Sequence, residues 1–362
     1  MQNDSFMNFF KHQDWYLNGA VLFLAVASLA MLFSINETFF WRQISWWAAA
    51  LIILIFFSKI DWRPAINYKW ITFSFYALTI LLLVITLLIA PTIRNAKSWI
   101  VIGPMQFQAS EIAKAALIIV LAYFLAKRHI GIAHWQVLLS TFIYFLMPVI
   151  LVLAQPDLGT ALILFSIWGG FLLVSGVRWR HLLIGFLILI LVAAAGWQFF
   201  LRDYQKTRIT ALFNPEADPL GVNYSVIQSK IAIGSAGFWG KGFNQGTQVQ
   251  LGFLPEAHGD FILAAFIEEW GLIGGIAVIG AFILILFRII KVGLVSEDNF
   301  TKLLCLGTVI MFLTQFILNV GSNLGFLPVV GVSFPFFSYG GSNLLTNMVL
   351  VGIIQSAAAR QK

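Results

Sequence analysis

Residues 201–271 read LRDYQKTRITALFNPEADPLGVNYSVIQSKIAIGSAGFWGKGFNQGTQVQLGFLPEAHGDFILAAFIEEWG, a polar stretch set between apolar runs of membrane length. The other connections between apolar runs are short. This one carries Arg202, Asp203, Lys206, Arg208, Glu216, Asp218, Lys230, Lys241, Glu256, His258 and Asp260. Connections longer than about 12–15 residues are uncommon unless they are functional or disordered. A disordered linker would not contain Phe213, Tyr224, Ile227, Ile231, Ile233, Phe238, Trp239, Phe243 and Phe253. The stretch therefore reads as a folded loop over 201–259 and as the first place to seek a site.

Outward from the loop, the composition settles the class. The chain is 60% hydrophobic and only 10% charged, where a soluble domain carries about 25% charged residues. Its mean hydropathy is +0.90. Water cannot solvate such a chain, so it reads as an all-α polytopic membrane protein. The formal charge of +7 is not a nucleic-acid signal, because no basic block or RNA-reading motif occurs. Lys and Arg at helix ends explain it. The single cysteine, Cys305, excludes an intramolecular disulfide and a thiolate metal cluster. The N-terminus, MQNDSFMNFFKHQDWY, shows no cleavable signal peptide.

About ten membrane helices are expected, near 15–35, 44–58, 70–90, 108–126, 137–153, 158–175, 181–200, 260–287, 302–324 and 340–358. The long loop lies between the seventh and eighth, and 1–362 reads as one membrane domain. One set of connections holds Lys59, Arg63, Lys69, Lys127, Arg128, Arg178, Arg180, Arg288, Lys291 and Lys302, and the termini add Lys11, Arg360 and Lys362. The opposite short connections hold only Arg42, Arg94 and Lys97. The asymmetry predicts both termini in the cytoplasm and the long loop outside.

Charges within the apolar runs are costly there and rarely idle. Glu111 and Lys114 stand at i, i+3 on one helix face. They read as a self-neutralising pair or as the lining of a hydrophilic cavity. Asp157, in Gln155-Pro156-Asp157-Leu158-Gly159-Thr160, sits at a helix start, where it is a ready N-cap and can also orient a substrate-binding group. Glu268 lies eight residues beyond Asp260, roughly 12 Å deeper at 1.5 Å per residue. At least one of Glu268 and Glu269 must therefore face protein or water. From Asn319 to Asn343, NVGSNLGFLPVVGVSFPFFSYGGSN interrupts the helical pattern. Irregular backbone at membrane depth is tolerated when buried in protein or lining a cavity. Phe334-Pro335-Phe336-Phe337 thus reads as a re-entrant element.

The stretch GFLPVVGVSFPFFSYGGSN (325–343) resembles the signature of the SEDS family, the shape, elongation, division and sporulation proteins. So do Gln155-Pro156-Asp157-Leu158-Gly159-Thr160-Ala161 and Ser110-Glu111-Ile112-Ala113-Lys114. Two further segments resemble the family's rod-elongation members more than its division members. They are Asn214 to Gly221 with Gln228 to Ser235, and Gly240-Lys241-Gly242 with Leu254-Pro255-Glu256-Ala257-His258. Two departures stand out: Gly259 where the family usually has Thr, and Ser333-Phe334 in place of Pro-Leu.

The resemblance implies a peptidoglycan glycosyltransferase that polymerises lipid II, an undecaprenyl-pyrophosphoryl disaccharide-pentapeptide, at the outer face of the bacterial cytoplasmic membrane. It implies a class B penicillin-binding protein as partner. The reaction needs a carboxylate to take the proton of the attacking sugar hydroxyl. It also needs cations to stabilise the lipid-pyrophosphate leaving group. Asp260, at the loop–helix junction, is the candidate base, with an N-cap of the eighth helix as the bland alternative. Lys97, Lys114 and Arg208 are candidates for the pyrophosphate or for orienting acids, and Glu111, Asp157, His258 and Ser338 complete the expected substrate-binding set. No cofactor is required by these residues, and a divalent cation such as Mg2+ stays open. The competing class is transport: a lipid II flippase, or a proton-coupled transporter using Glu111, Lys114, Glu268 and Glu269.

Overall fold

The computed structural model describes residues 13–62, 68–92, 97–103, 105–127, 135–174, 197–198, 206–207, 210, 221 and 223–360. In chain order the described elements are α1 (Trp15–Ile35), α2 (Glu37–Lys59), α3 (Lys69–Ile89), strands β1 (Trp99–Ile102) and β2 (Met105–Gln108), α4 (Ala109–Ala126), α5 (Trp135–Ala154) and α6 (Leu158–Val174). After the long connection come α7 (Tyr224–Ser235), the single turn α8 (Thr247–Gln250), α9 (Ile262–Val295), α10 (Asn299–Asn323) and α11 (Gly341–Ala359). Eight of these helices are long and apolar enough to cross a membrane, and α6 is a shorter apolar one. Nine of the ten expected segments thus meet a helix. The expected seventh, 181–200, lies outside the described residues apart from a fragment of two.

Three long helices start on their own caps. Asp14 accepts from the Leu17 N–H, Asn36 from Thr38 and Asp298 from Thr301, each satisfying an otherwise orphaned donor. The second helix is 23 residues long rather than 15, because Asn36 starts it upstream of the purely apolar run. The polar first turns of a membrane helix are invisible to hydropathy.

The bundle is centred on α4 and α11, whose membrane windows are 83% and 72% buried, against 17% for α2 and 28% for α3. The Ala-rich face of α4 (Ala109, Ala113, Ala116) lets its neighbours approach closely. The outer helices instead present Ile52, Phe56, Trp70 and Leu88 outward, the surface that a bilayer covers.

Helix ends define two faces. At one, Asp14 pairs with Arg288 at 2.6 Å, and Arg360 donates to the Lys59 carbonyl. The ends of the described chain, near Asp14 and Arg360, and part of the predicted cytoplasmic basic set therefore gather there. At the other, the α1–α2 turn, the β1–β2 hairpin, the start of α6, the described part of the long loop and residues 325–340 meet. The hairpin is antiparallel, pairing Trp99 with Gln108 and Ile102 with Met105.

Candidate functional site

Residues 325–340 are non-helical, as the Pro and Gly pattern predicts, and 334–338 are buried in protein. Phe334 packs against the stacked pair Phe282 and Phe316, and Phe337 sits edge-on to Phe266. Three Phe rings carried into the bundle (Phe334, Phe336, Phe337) hold this irregular backbone at depth. Its end then grips the long loop: Ser338 Oγ donates to the Gly259 carbonyl at 2.8 Å and accepts from the Phe334 N–H, while the Tyr339 N–H donates to the His258 carbonyl.

Asp260 follows directly. Its carbonyl accepts from Asn319 Nδ2 at 3.0 Å and from Asn323 Nδ2 at 2.8 Å, both from α10. It is not the N-cap of α9. That position belongs to Phe261, which makes no side-chain cap bond. The turn from Leu254 to Phe261 carries the chain one residue further before the helix begins. Beside it, the His258 ring stacks on Phe39 at 4.2 Å and stands edge-on to Tyr339, with Nε2 3.7 Å from Glu256 Oε2. His258 is thus held by the α1–α2 end rather than left loose on the loop.

Asp157 caps its helix, as expected, and bonds to other side chains as well. Oδ1 caps α6 by accepting from the Thr160 N–H at 3.0 Å. Oδ2 accepts from Thr160 Oγ1 at 2.7 Å, Gln108 Nε2 at 3.0 Å and Ser110 Oγ at 3.5 Å. Burial, foremost, raises its carboxyl above the ordinary carboxylate value, against lowering by the Thr160 bonds and by Lys114. Gln108 in turn donates its N–H to Ser342 Oγ. One helical turn deeper, Glu111 Oε2 receives Lys114 Nζ at 2.7 Å and Asn343 Nδ2 at 2.9 Å, and Asn347 donates to Asn343. Lys114 is 1% exposed, so its charge is spent on Glu111. Lys97 is exposed, next to Ser98, whose hydroxyl donates to the Gln155 carbonyl. Arg208 lies outside the described residues.

The segment 338–343 joins these groups. Ser338 holds the Asp260 turn, Ser342 the hairpin beside Asp157, and Asn343 the Glu111–Lys114 pair. Asn319, Asn323, Asn343 and Gln108 were not singled out from sequence. Their signal was polarity within otherwise apolar helical stretches.

A third cluster answers the question posed by Glu268 and Glu269. Helix α9 breaks at Gly271 (φ 75°, ψ 179°), and residues 237–242 of the loop enter the break. The N–H groups of Lys241 and Gly242 donate to the carbonyls of Glu268 and Glu269, while those of Leu272 and Ile273 donate to Gly237 and Phe238. A Cβ on Gly240 would sit 2.2 Å from the Glu269 carbonyl, so only glycine permits this approach. Lys241 Nζ then pairs with Glu268 Oε1 at 2.7 Å, and Glu269 Oε1 accepts from Ser34 Oγ and Gln250 Nε2. The loop itself reaches down to the acids. Alongside, Ala30, Phe33, Phe40, Phe243 and Trp270 line a wholly apolar groove of about 450 Å³. Among the described residues, no group of three His, Cys, Asp or Glu side chains is placed to hold a metal ion.

The family model for cell cycle proteins of the FtsW, RodA and SpoVE type matches residues 7–362. The chain belongs to this family. The FtsW/RodA/SpoVE match extends over the whole described bundle, the three polar clusters included. Escherichia coli K12 peptidoglycan glycosyltransferase MrdB is 38% identical over 331 residues, 89% of this chain and 86% of the relative. A chain of a solved peptidoglycan synthase complex, described as coordinating polymerization and crosslinking, superposes with TM-score 0.82 at 31% identity, covering 96% of this chain and 98% of that one. Thermus thermophilus rod shape determining protein RodA superposes with TM-score 0.72 at 26% identity over 96% of each chain.

Proposed function

We infer that this chain is a peptidoglycan glycosyltransferase, with lipid II as its substrate and Asp260 as the base that takes the proton of the attacking sugar hydroxyl. The observation that carries the reading is the clamping of the Asp260 turn: three side chains from two other elements hold the main chain on either side of one acid. A base must be aimed to within a fraction of an ångström, and a turn held this way supplies such aim. Relatives that share 38% and 29% of their residues with this chain bear this activity in their names. The apolar groove at Phe33, Phe243 and Trp270 suits the hydrocarbon chain of a lipid-linked sugar. A cation for the pyrophosphate comes from Lys97 or Arg208, or from a bound divalent ion such as Mg2+.

Transport is disfavoured by the same clusters. A proton-coupled carrier moves charge through acids that change partner, whereas Glu111 is locked to Lys114 and Glu268 to Lys241 at 2.7 Å each. Purified protein in detergent, with no bilayer to cross, is expected to lengthen lipid II into glycan strands resolvable by gel electrophoresis. Substrate left at its starting length under those conditions would return the transport reading to first place.

The site lies on the outer face of the cytoplasmic membrane, both termini inside, and the partner is a class B penicillin-binding protein. The lysine and arginine asymmetry supports this orientation. A cysteine placed at the exposed position 245, in a Cys305→Ser background, should react with a membrane-impermeant maleimide in intact cells. Labelling only after lysis would invert the topology.

A further inference from the structure

We propose that Asn323 is a positioning residue for Asp260, acting as a cap supplied to α9 from another helix. The first N–H groups of any helix lack an intrahelical partner. Helices α1, α2 and α10 solve this with Asp14, Asn36 and Asp298 from their own chain starts. Helix α9 has Phe261 at that position, a side chain that cannot accept from an N–H. Instead, Asn323 Oδ1 accepts from the Ala264 N–H at 3.2 Å. The Nδ2 of the same amide donates to the Asp260 carbonyl at 2.8 Å. One planar group therefore spans the start of the helix, from the peptide after Asp260 to the first turn. Asn319 shares the Asp260 carbonyl and donates also to the Val332 carbonyl, on the re-entrant side.

The consequence falls on the direction of the Asp260 side chain. Ser338 fixes the peptide before Asp260 through the Gly259 carbonyl, and Asn323 fixes the peptide after it. With both flanking planes held, the direction of the Cα–Cβ vector is set through the main chain. Asn323 is 0% exposed, so water does not compete for its amide. Its own carbonyl accepts from Ser229 Oγ at 2.8 Å, which ties α7 of the loop to the same point.

The inference rests on Asp260 being the base, and the test separates the two ideas. Steady-state lipid II polymerisation by the full-length protein is measured for Asn323→Ala and Asn323→Asp. The Asp variant keeps an acceptor for the Ala264 N–H and loses the donor to Asp260, so a purely structural cap survives in it. Both variants are expected to lose kcat by about 10- to 100-fold, the scale of a misaimed catalytic group, with KM within about twofold. In an Asp260→Glu background, where the carboxylate is already displaced, Asn323→Ala should cost less than about twofold more, because contacting sites are not additive. A normal kcat in Asn323→Asp overturns the proposal, as does an Asn323→Ala loss that multiplies with Asp260→Glu. Normal polymerisation by Asp260→Asn overturns the base assignment and this proposal with it.

Discussion

Asp260→Asn is expected to lower glycan polymerisation by on the order of 10²–10⁴-fold, the range for loss of a general base, while folding and membrane insertion are retained. The substitution preserves size and leaves the clamp intact, because Asn319 and Asn323 hold the main-chain carbonyl rather than the carboxylate. Asn also caps a helix about as well as Asp, so the start of α9 is not at stake. Only the proton acceptor is removed. Asp260→Glu should also be impaired, since one added methylene moves the carboxylate off the hydroxyl it must reach. Glu256→Gln is the control: it lies in the same turn, partly exposed beside His258, and its loss should be smaller. A well-folded Asp260→Asn protein that polymerises normally would remove the catalytic assignment.

The second large effect concerns Lys114. In Lys114→Met, Glu111 keeps only the Asn343 amide against a full negative charge in a low-dielectric interior. Breaking a buried ion pair from one side costs about 3–5 kcal/mol, because the surviving charge is uncompensated. The double variant Glu111→Gln/Lys114→Met should recover most of that stability. Thermal unfolding of the detergent-solubilised protein measures both. If Lys114→Met melts like the parent but fails to polymerise, the ammonium acts on substrate rather than on Glu111.

Much of this was legible beforehand, for identifiable reasons. Membrane helices announce themselves by length and apolarity, so nine expected segments met a helix within a few residues at most ends. The exceptions have local causes. Helix α2 begins at its Asn36 cap, upstream of the apolar run, and α9 continues to Val295, past its mid-helix Gly271. The re-entrant stretch was readable because Pro328, Pro335 and the glycines cannot continue a helix at depth.

What the sequence by itself determined is the class, the helix set and the identity of the rare acids and bases, because hydrophobicity, breakers and buried charge are properties of single residues and short windows. Only the tertiary structure decided the partners. Glu268 meets Lys241 from 27 positions away because the loop enters a helix break. Asn343 reaches Glu111 across the bundle, and the Asp260 turn is held by Asn323 and Ser338. In a low-dielectric interior each polar group must find a partner, but which one it finds is a matter of packing. Helix packing brings together residues that no spacing rule connects.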